Sequence, residues 1–452
     1  MATTGGSGPL PGSIRPSAED ELADYRVADW FCLIAGAALV GLLTGALGTA
    51  FRVCLQLGEH ARDHLIAWAR SLPLGWLVAM SAIGVAVAVA AWMVARFAPL
   101  ASGSGIPHVV AVLRGEMTRA PARVIPVKFA GGLLAIGGGL ALGREGPTVQ
   151  MGATLGTIVA ARIRPIREEW PALLAAGAGA GLATAFDAPI GGMLFVFEEV
   201  LRRFEPRAVM ATATACIAAV MVERGVLGPE RDFQVPFLHP PVVAGLGLYL
   251  IMGLVAGAFG ALYNHAILGL GGVADRFDRL PAAAKGGLVG VLVGGIAWLM
   301  PKAVGGGDRL TQEILAGQAA ITALPLLFVV RFVLGPVSYR AGTPGGLFAP
   351  LLVLGAQIGL ASGWLGHRWF PDLAPSPIAF AVVGMAAFFT ATVRSQLTGI
   401  VLVTEMTWTY SLTLPMLVAS AGAYAVSAMV GNPPIYDTLR EQQVARSRPG
   451  RS

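Results

Sequence analysis

The sequence ALGREGPTVQMGATLG at 141–156 places Arg144 and Glu145 between two uncharged, glycine-rich stretches. Residues 129–143 before the pair and residues 146–161 after it contain no charged side chain. An ionisable group inside an apolar segment is costly, so it is a candidate for function. A carboxyl group there could take up and release a proton, or its negative charge could occupy a place that an anion also uses. The alternative is a structural ion pair between the two neighbours.

Three other places carry polar chemistry in apolar surroundings. Glu198 and Glu199 end the apolar run 188–197, where they could be buried acids or simply a helix end that reaches cytoplasmic water. Ser104 lies between two glycines, and its hydroxyl could cap a helix or donate to a dehydrated anion. Tyr436 follows Pro-Pro-Ile, where a tyrosine could anchor a helix at the membrane interface.

The composition defines the environment of these residues. The 452 residues are 55% hydrophobic and 13% charged, whereas soluble globular domains carry about 25% charged residues. Sixty glycines and thirty prolines are compatible with membrane helices, in which both residue types are well tolerated. The sequence therefore predicts an all-α polytopic membrane protein.

Uncharged runs predict where the chain enters the membrane, since a spanning helix needs roughly 20 apolar residues. The runs long enough for one helix or more are 30–51, 71–95, 236–274, 341–366 and 406–436. The runs too short to cross are 129–143, 171–186, 188–197 and 395–404. Short segments of this kind predict helices that stop inside the membrane, which is tolerated only where they face protein or a water-filled cavity.

Both ends of the chain are predicted to be cytoplasmic. Residues 1–29 are polar and mildly acidic, without the basic start of a cleavable signal peptide. Residues 437–452 form a short basic tail, as expected on the cytoplasmic side. The net charge of +6 fits cytoplasmic loops and gives no reason to expect nucleic acid. The three cysteines are widely spaced, and no spacing predicts a metal or an organic cofactor.

Three motifs share one pattern of glycines, a proline and then an apolar helix: GSGIPHVV at 103–110, GREGPTVQ at 143–150 and GGLFAPLL at 345–352. Proline is favoured in the first turn of a helix, because its missing N–H would be unpaired there. Each motif therefore predicts a helix N-terminus, with free N–H groups and the positive end of the helix dipole. Three such ends at one place would bind an anion through partial charges, weakly enough to release it.

In this order the motifs resemble the signature of the CLC family of chloride channels and proton/chloride exchangers. NPPIYDTL at 432–439 resembles the last helix of that family. PVKF at 126–129, FDAPIGGMLFVFEE at 186–199 and LTGIVLVTEMT at 397–407 agree with it as well. The resemblance spans about residues 30–440.

The resemblance implies a membrane domain at 30–436, built as two inverted-topology halves of tilted and broken helices at about 30–230 and 236–436. It also implies a homodimer in the lipid bilayer of the cell membrane, with one pathway per subunit. Chloride and protons would be the transported species, and no enzymatic activity is expected.

The resemblance also implies roles for single residues. The hydroxyls of Ser104 and Tyr436 and the backbone N–H groups of Leu347 and Phe348 would bind the central anion. Gly146 would contribute its N–H nearer the gate.

The acids receive separate roles. Glu145 would be the external gating glutamate that couples anion and proton movement, and Arg144 would be structural. Glu199 would be the internal proton-transfer glutamate, with Glu198 as a supporting acid. Channels of the family usually have an apolar residue at the position of Glu199, so its presence favours an exchanger of chloride for protons over a passive chloride channel.

Three further polar residues are expected to be structural or peripheral. Lys128 and Glu405 lie in apolar surroundings and are expected to be paired, since buried membrane charges usually are. His108 departs from the Glu or Gln that is commoner after this proline. An intramembrane serine protease using Ser104 and His265 has no second supporting feature in the sequence.

Overall fold

The chain is described here by a computed structural model that covers residues 27–229, 231–276 and 280–447. Within these ranges it forms 17 α-helices, and the only β-type pairings are two isolated bridges. The helices are α1 Val27–Ala69, α2 Gly75–Phe97, α3 Ile106–Leu113, α4 Val124–Gly137, α5 Glu145–Arg162, α6 Trp170–Phe186, α7 Pro189–Phe195, α8 Pro206–Leu227, α9 Leu246–Arg276, α10 Ala282–Leu299, α11 Asp308–Leu315, α12 Leu324–Tyr339, α13 Phe348–Trp369, α14 Pro377–Val393, α15 Gln396–Thr407, α16 Thr413–Met429 and α17 Ile435–Ser447. The predicted all-α class is confirmed.

Eight helical segments in the described part of the chain are long and apolar enough to cross a membrane. The protein is therefore a multi-pass membrane protein. Two spans differ from the uncharged runs. The run 30–51 extends into the 43-residue helix α1, because its later charged residues occupy further turns of the same helix. The run 236–274, which could have held more than one helix, contains the single long helix α9.

The short runs form short helices, and that these helices end inside the membrane stays a prediction. The run 171–186 lies in α6, the run 188–197 contains α7, and the run 395–404 lies in α15 except for its cap, Ser395. The run 129–143 is helical only up to Gly137, the last residue of α4. The break after α6 lies at Asp187, and the break after α14 lies at Arg394; both residues have a positive φ, which ends helical geometry.

Glycines let the buried broken helices approach one another closely. Gly152 of α5 lies against the backbone of Gly177 in α6, and Gly355 of α13 lies against the backbone of Gly384 in α14. A Cβ atom at any of these four positions would overlap the backbone of the facing helix. Small residues at such contacts are typical of membrane helix packing.

The ends of the chain are described only in part. The predicted N-terminal segment lies outside the described residues up to residue 26, as do residues 448–452 of the predicted tail. The first part of that tail does not form a separate segment. Residues 437–447 continue α17, and the buried Arg440 pairs there with Glu116 at 2.5 Å. This helix packs against α3.

Candidate functional site

The three predicted helix starts are confirmed and are joined by their backbones. Helices α3, α5 and α13 begin at Ile106, Glu145 and Phe348. Gly143 and Gly346 exchange two N–H···O bonds, at 2.9 and 2.8 Å. These contacts hold the starts of α5 and α13 side by side.

The GSGIP motif is tied to the same place. Gly103 donates to Thr343 O at 2.9 Å, and Gly345 donates to Gly103 O at 3.1 Å. Residues before α3 and before α13 therefore form a single connected backbone structure. The three N-termini converge in the protein interior, as the sequence predicts.

The Glu145 side chain is fully buried at this convergence. Its Oε1 accepts a hydrogen bond from the backbone N–H of Phe348 at 2.7 Å, and its Oε2 has no partner among the described residues. The carboxylate fits between Gly143 and Gly346, where a Cβ atom on either glycine would overlap it. A negative group thus lies at the N-terminus of α13, the place that favours an anion.

Two buried hydroxyls lie close to the carboxylate. Neither Ser104 Oγ nor Tyr436 Oη has a hydrogen-bond partner within the described ranges. A Cβ atom on Gly146 would lie 2.6 Å from Ser104 Oγ, which places this hydroxyl beside the first turn of α5. The ring of Tyr436 lies near that of Phe348, the residue whose backbone N–H bonds to Glu145. Two unused donors therefore face the region between α3, α5 and α17.

Leu347 and Phe348 are also buried, at the cap and the first residue of α13. The N–H of Phe348 is occupied by Glu145, so it becomes available to another ligand only when that carboxylate moves. The Phe348 ring packs near that of Tyr436, with ring centroids 6.3 Å apart, and against Phe389 at 4.4 Å. Aromatic rings therefore surround the polar groups.

The second acid lies beyond Tyr436. Glu199 is buried in a π-helical turn, Val196–Val200, that follows α7. Its Oε2 accepts a hydrogen bond from Ser395 Oγ at 2.9 Å, and Arg202 Nη2 lies 3.6 Å away. Arg202 also contacts Asp437, the residue after Tyr436, at 2.7 Å. The two acids and the two hydroxyls thus belong to one neighbourhood of the fold.

Comparison with known proteins identifies the family to which this arrangement belongs. A sequence model described as "Voltage gated chloride channel" matches residues 85–428. The chain belongs to this family.

Characterised relatives and a solved structure agree with the assignment. The chain is 39% identical over 412 residues to the H(+)/Cl(-) exchange transporter ClcA of Vibrio cholerae serotype O1, covering 89% of this chain and 87% of that protein. It is 38% identical over 420 residues to the protein of the same name from Cronobacter sakazakii, with coverage of 91% and 89%. The crystal structure of a slow cyanobacterial Cl-/H+ antiporter matches with a TM-score of 0.86 at 34% identity, over 92% of this chain and 98% of that one.

Arg144, the neighbour of Glu145, has partners of its own. Its guanidinium donates to Ala185 O at 2.9 Å and to Asp308 at 3.0 Å, and it lies 3.4 Å from Asp232. Within the described ranges, no ion pair joins it to Glu145. The alternative of a structural pair between the two neighbours is therefore wrong, because the arginine turns toward carboxylates distant in sequence.

Glu198 and Glu405 cap each other's helices. The carboxylate of Glu198 accepts from the backbone N–H groups of Leu397 at 3.1 Å and Thr398 at 2.7 Å, at the start of α15. The carboxylate of Glu405, in α15, accepts from Ile190 at 3.1 Å and Gly191 at 2.7 Å, at the start of α7. Glu405 is structural as expected, but its partners are backbone donors rather than a cation.

Lys128 also binds backbone rather than an acid. Its buried ammonium donates to Ala101 O at 3.1 Å and Gly103 O at 2.8 Å. The predicted structural role is supported, and the expected charge partner is replaced by carbonyl oxygens. His108 is buried within α3 and contacts Thr118 O at 3.1 Å.

A basic cavity of about 410 Å³ leads to Ser104. Its lining includes Ser104 and Gly105 at the inner end and Lys285, Arg340 and Arg446 toward the surface. Cationic side chains along such a cavity raise the local concentration of anions. The cavity therefore gives Ser104 a route to one face of the protein.

Sequence reasoning missed Ser395 and these three basic residues. Ser395 begins a short apolar run and follows Arg394, which looks like an ordinary helix break. For Ser395 the one available signal was a hydroxyl at the start of an otherwise apolar segment.

Proposed function

We propose that this protein is a secondary active transporter that exchanges chloride for protons across a cell membrane. The observation that carries the proposal is the Glu145 carboxylate, which lies on the N-terminus of α13 and bonds to Phe348 N–H. A side chain that takes the place of an anion can be displaced by one, and it can also carry a proton. The relatives named as exchangers support the same function.

The anion pathway runs from the basic cavity to the converging helix ends. Chloride entering past Lys285, Arg340 and Arg446 meets the hydroxyl of Ser104. Ser104 and Tyr436 then donate to it, and the N–H groups of Leu347 and Phe348 do so once Glu145 has left. Gly146, next to Ser104, contributes its N–H closer to Glu145 and keeps the passage open by lacking a Cβ atom.

Glu145 couples the two ions. Ionised, it competes with chloride for the end of α13. Protonated, it loses its charge and with it most of its attraction to the helix N-terminus, so an anion can replace it. Each departure of the side chain is thereby linked either to a proton or to an arriving anion.

Glu199 supplies protons from the other side of Tyr436. It is buried and hydrogen-bonded to Ser395, and Arg202 links it to Asp437, the residue after Tyr436, at 2.7 Å. A proton entering here bypasses the anion route until it reaches Glu145. Glu198 supports Glu199 indirectly, since it holds the π-helical turn of both acids against α15.

We also propose a homodimer with one pathway in each subunit. Large apolar side chains are more than half exposed on four adjoining helices, α7, α8, α15 and α16: Ile190, Ile217, Leu397 and Leu414. We propose that both termini lie in the cytoplasm, because basic residues that follow α5 are expected on that side.

The experiment that tests the function uses purified protein in liposomes. An outward chloride gradient is imposed without a proton gradient, with the membrane potential clamped, and the external pH is recorded. An exchanger moves protons inward although no proton gradient drives them, so the external pH rises as chloride leaves. Chloride efflux without any proton movement would leave the alternative, a passive chloride channel.

A further inference from the structure

The loop that carries Ser104 is held in place by side chains from other helices. Ser104 lies between Gly103 and Gly105, whose φ angles of 64° and 85° are in the left-handed region that glycine favours. Lys128 of α4 binds the loop through the carbonyl oxygens of Ala101 and Gly103. The position of the Ser104 hydroxyl therefore depends on contacts from outside the loop.

A second buried side chain, Gln150 of α5, contacts the same loop. It is fully buried, and its Nε2 donates to Leu100 O at 2.9 Å. Gly105 lies so close to it that a Cβ atom there would overlap the Gln150 amide. Gln150 follows Glu145, the first residue of α5, by little more than one helical turn. The amide thus ties the Ser104 loop to the helix that begins with Glu145.

His108 of α3 determines which way the Gln150 amide faces. The Nε2 atom of His108 lies 3.1 Å from Thr118 O, and because a carbonyl oxygen only accepts, Nε2 carries the hydrogen. In the neutral ring Nδ1 is then an acceptor, and it lies 3.4 Å from Gln150 Nε2. The amide nitrogen therefore faces His108 and Leu100, and the amide oxygen faces Gly105.

The segment before α11 repeats this packing with an apolar side chain in place of the amide. Gly307 precedes α11 as Gly105 precedes α3, and both glycines have a positive φ. Val353 has the same place in α13, relative to the first residue Phe348, that Gln150 has in α5. A Cβ atom on Gly307 would lie 2.9 Å from Val353 Cγ1. An aliphatic side chain is therefore sufficient for the packing.

The other polar groups are also confined to the first of these segments. Leu310 has the position in α11 that His108 has in α3, and Gly306 has the position of Ser104. The amide and the imidazole therefore occur only where the loop carries a hydroxyl. Their contacts go beyond what the packing of the short helix needs.

We infer that Gln150 is a positioning residue that holds the Ser104 hydroxyl toward the anion and thereby sets the affinity for chloride. The inference rests on the anion site of the proposed function. Gln150 does not touch the anion; it acts through the loop, which it binds at Leu100. Without the amide, the loop keeps its contacts with Lys128, but the hydroxyl is no longer fixed relative to Glu145.

Chloride binding to the purified protein, measured by titration calorimetry, tests this role without requiring proton coupling. Gln150→Met keeps the length of the side chain and removes the donor. The Kd for chloride should rise about fivefold, less than the roughly tenfold expected for Ser104→Ala, because the hydrogen bond from the hydroxyl is weakened rather than lost. In a Ser104→Ala background, Gln150→Met should change the Kd by less than about twofold, because its effect passes through the missing hydroxyl.

Val353→Ala is the matched control, since it removes buried atoms at the corresponding position of α13. It should lower the midpoint of thermal unfolding and leave the Kd for chloride unchanged. His108→Leu removes the acceptor that orients the amide and should raise the Kd about twofold, so it tests the inference even if Gln150→Met does not fold.

An unchanged Kd in folded Gln150→Met and in His108→Leu would overturn the inference. Equal factors for Gln150→Met in the wild-type and Ser104→Ala backgrounds would overturn it as well, because a purely structural effect is independent of the hydroxyl. Wild-type protein that binds chloride but moves no protons would overturn the proposed exchange and leave this inference intact. Wild-type protein that binds no chloride would overturn the proposed anion site and the inference with it.

Discussion

We divide the membrane domain into two halves, at about 30–230 and 236–436. Some charged residues have a counterpart in the other half, and others do not. Lys128 in the first half binds the carbonyls of Ala101 and Gly103. Arg331 in the second half binds those of Ala303, Gly305 and Gly306. Each cation thus holds the loop in front of a short helix, α3 or α11.

The capping acids are shared in the same way. Glu198 lies nine residues after Pro189, the first residue of α7. Glu405 lies nine residues after Gln396, the first residue of α15. Each caps the start of the other's helix. A charge that recurs with equivalent contacts in both halves has a role that both halves need, which is to hold the fold.

The two acids that we propose for proton transport, Glu145 and Glu199, are not shared. In the paired segments joined by Gly143 and Gly346, the position of Glu145 in the first half is that of Phe348 in the second. The position of Glu199, after Glu198, is that of Met406, after Glu405. Both unshared acids are buried. Glu145 accepts from a single backbone N–H at the start of α13, whereas Glu198 and Glu405 each accept from two backbone N–H groups. The difference between the halves separates charges that hold the structure from the two acids that we propose as proton carriers.

The largest effect is expected when Glu145 is replaced by a neutral residue, as Phe348 is at the corresponding position of the second half. Glu145→Gln should abolish proton transport while chloride still moves passively, because a neutral amide resembles the protonated gate and cannot release a proton. Chloride and proton fluxes recorded on the same liposomes measure this. A variant that still drives protons against their gradient would remove Glu145 from the coupling step.

Breaking the shared caps should affect the fold instead. Glu198→Gln and Glu405→Gln each replace a charged acceptor at a helix N-terminus by a neutral one, at a cost of about 1–2 kcal/mol in the free energy of unfolding. Thermal unfolding of the purified variants measures the loss, which should be somewhat larger for Glu198→Gln, because Glu198 also accepts a hydrogen bond from Thr398 Oγ1 at 2.7 Å. A large loss for one and none for the other would contradict the shared role.

Selectivity should change on the anion route without loss of coupling. Ser104→Pro removes a hydroxyl donor and should raise nitrate transport relative to chloride by about tenfold, since a hydrogen bond to a charged group contributes 1.5–3 kcal/mol. Ser104→Ala is the matched control, because it removes the hydroxyl without the ring. Flux assays with each anion separate the two effects, and an unchanged preference in both variants would place the determinant elsewhere.

The smallest effect is expected at Ser395. Ser395→Ala removes the hydrogen bond that orients Glu199, and proton flux should fall by about threefold, with chloride flux unchanged. Ser395→Thr keeps the hydroxyl and should restore most of the flux. If the threonine variant is as slow as the alanine variant, the effect comes from packing rather than from the hydroxyl.

Local sequence was sufficient for the parts of this molecule that local physics determines. The Gly-Pro motifs predicted the starts of α3, α5 and α13, since proline and free N–H groups mark a helix N-terminus within a few residues. The family resemblance then brought Ser104, Glu145 and Tyr436 to one place. The break at Asp187 followed from the end of an apolar run and the proline after it.

Contacts between distant segments could not be predicted in this way. Arg144 finds its acids at Asp232 and Asp308, and Ser395 meets Glu199 across almost 200 residues. The reciprocal caps of Glu198 and Glu405 are also invisible in a single sequence, because each acid looks like an ordinary helix end. Only the packing of α7 against α15 gives these residues their partners.

The ratio of protons to chloride transported by Glu199→Gln and by Glu198→Gln, measured on the same liposomes as the wild type, tests the separation of the two kinds of charge most directly. Glu198 and Glu199 are neighbours with the same side chain. Glu199 has no acidic counterpart in the second half, whereas Glu198 caps the start of α15. Glu199→Gln should lower the ratio by about a hundredfold while chloride still moves, since an amide cannot relay protons. Glu198→Gln should keep the wild-type ratio, even if less protein is folded. A ratio of protons to chloride that falls in Glu198→Gln but keeps its wild-type value in Glu199→Gln would contradict this account.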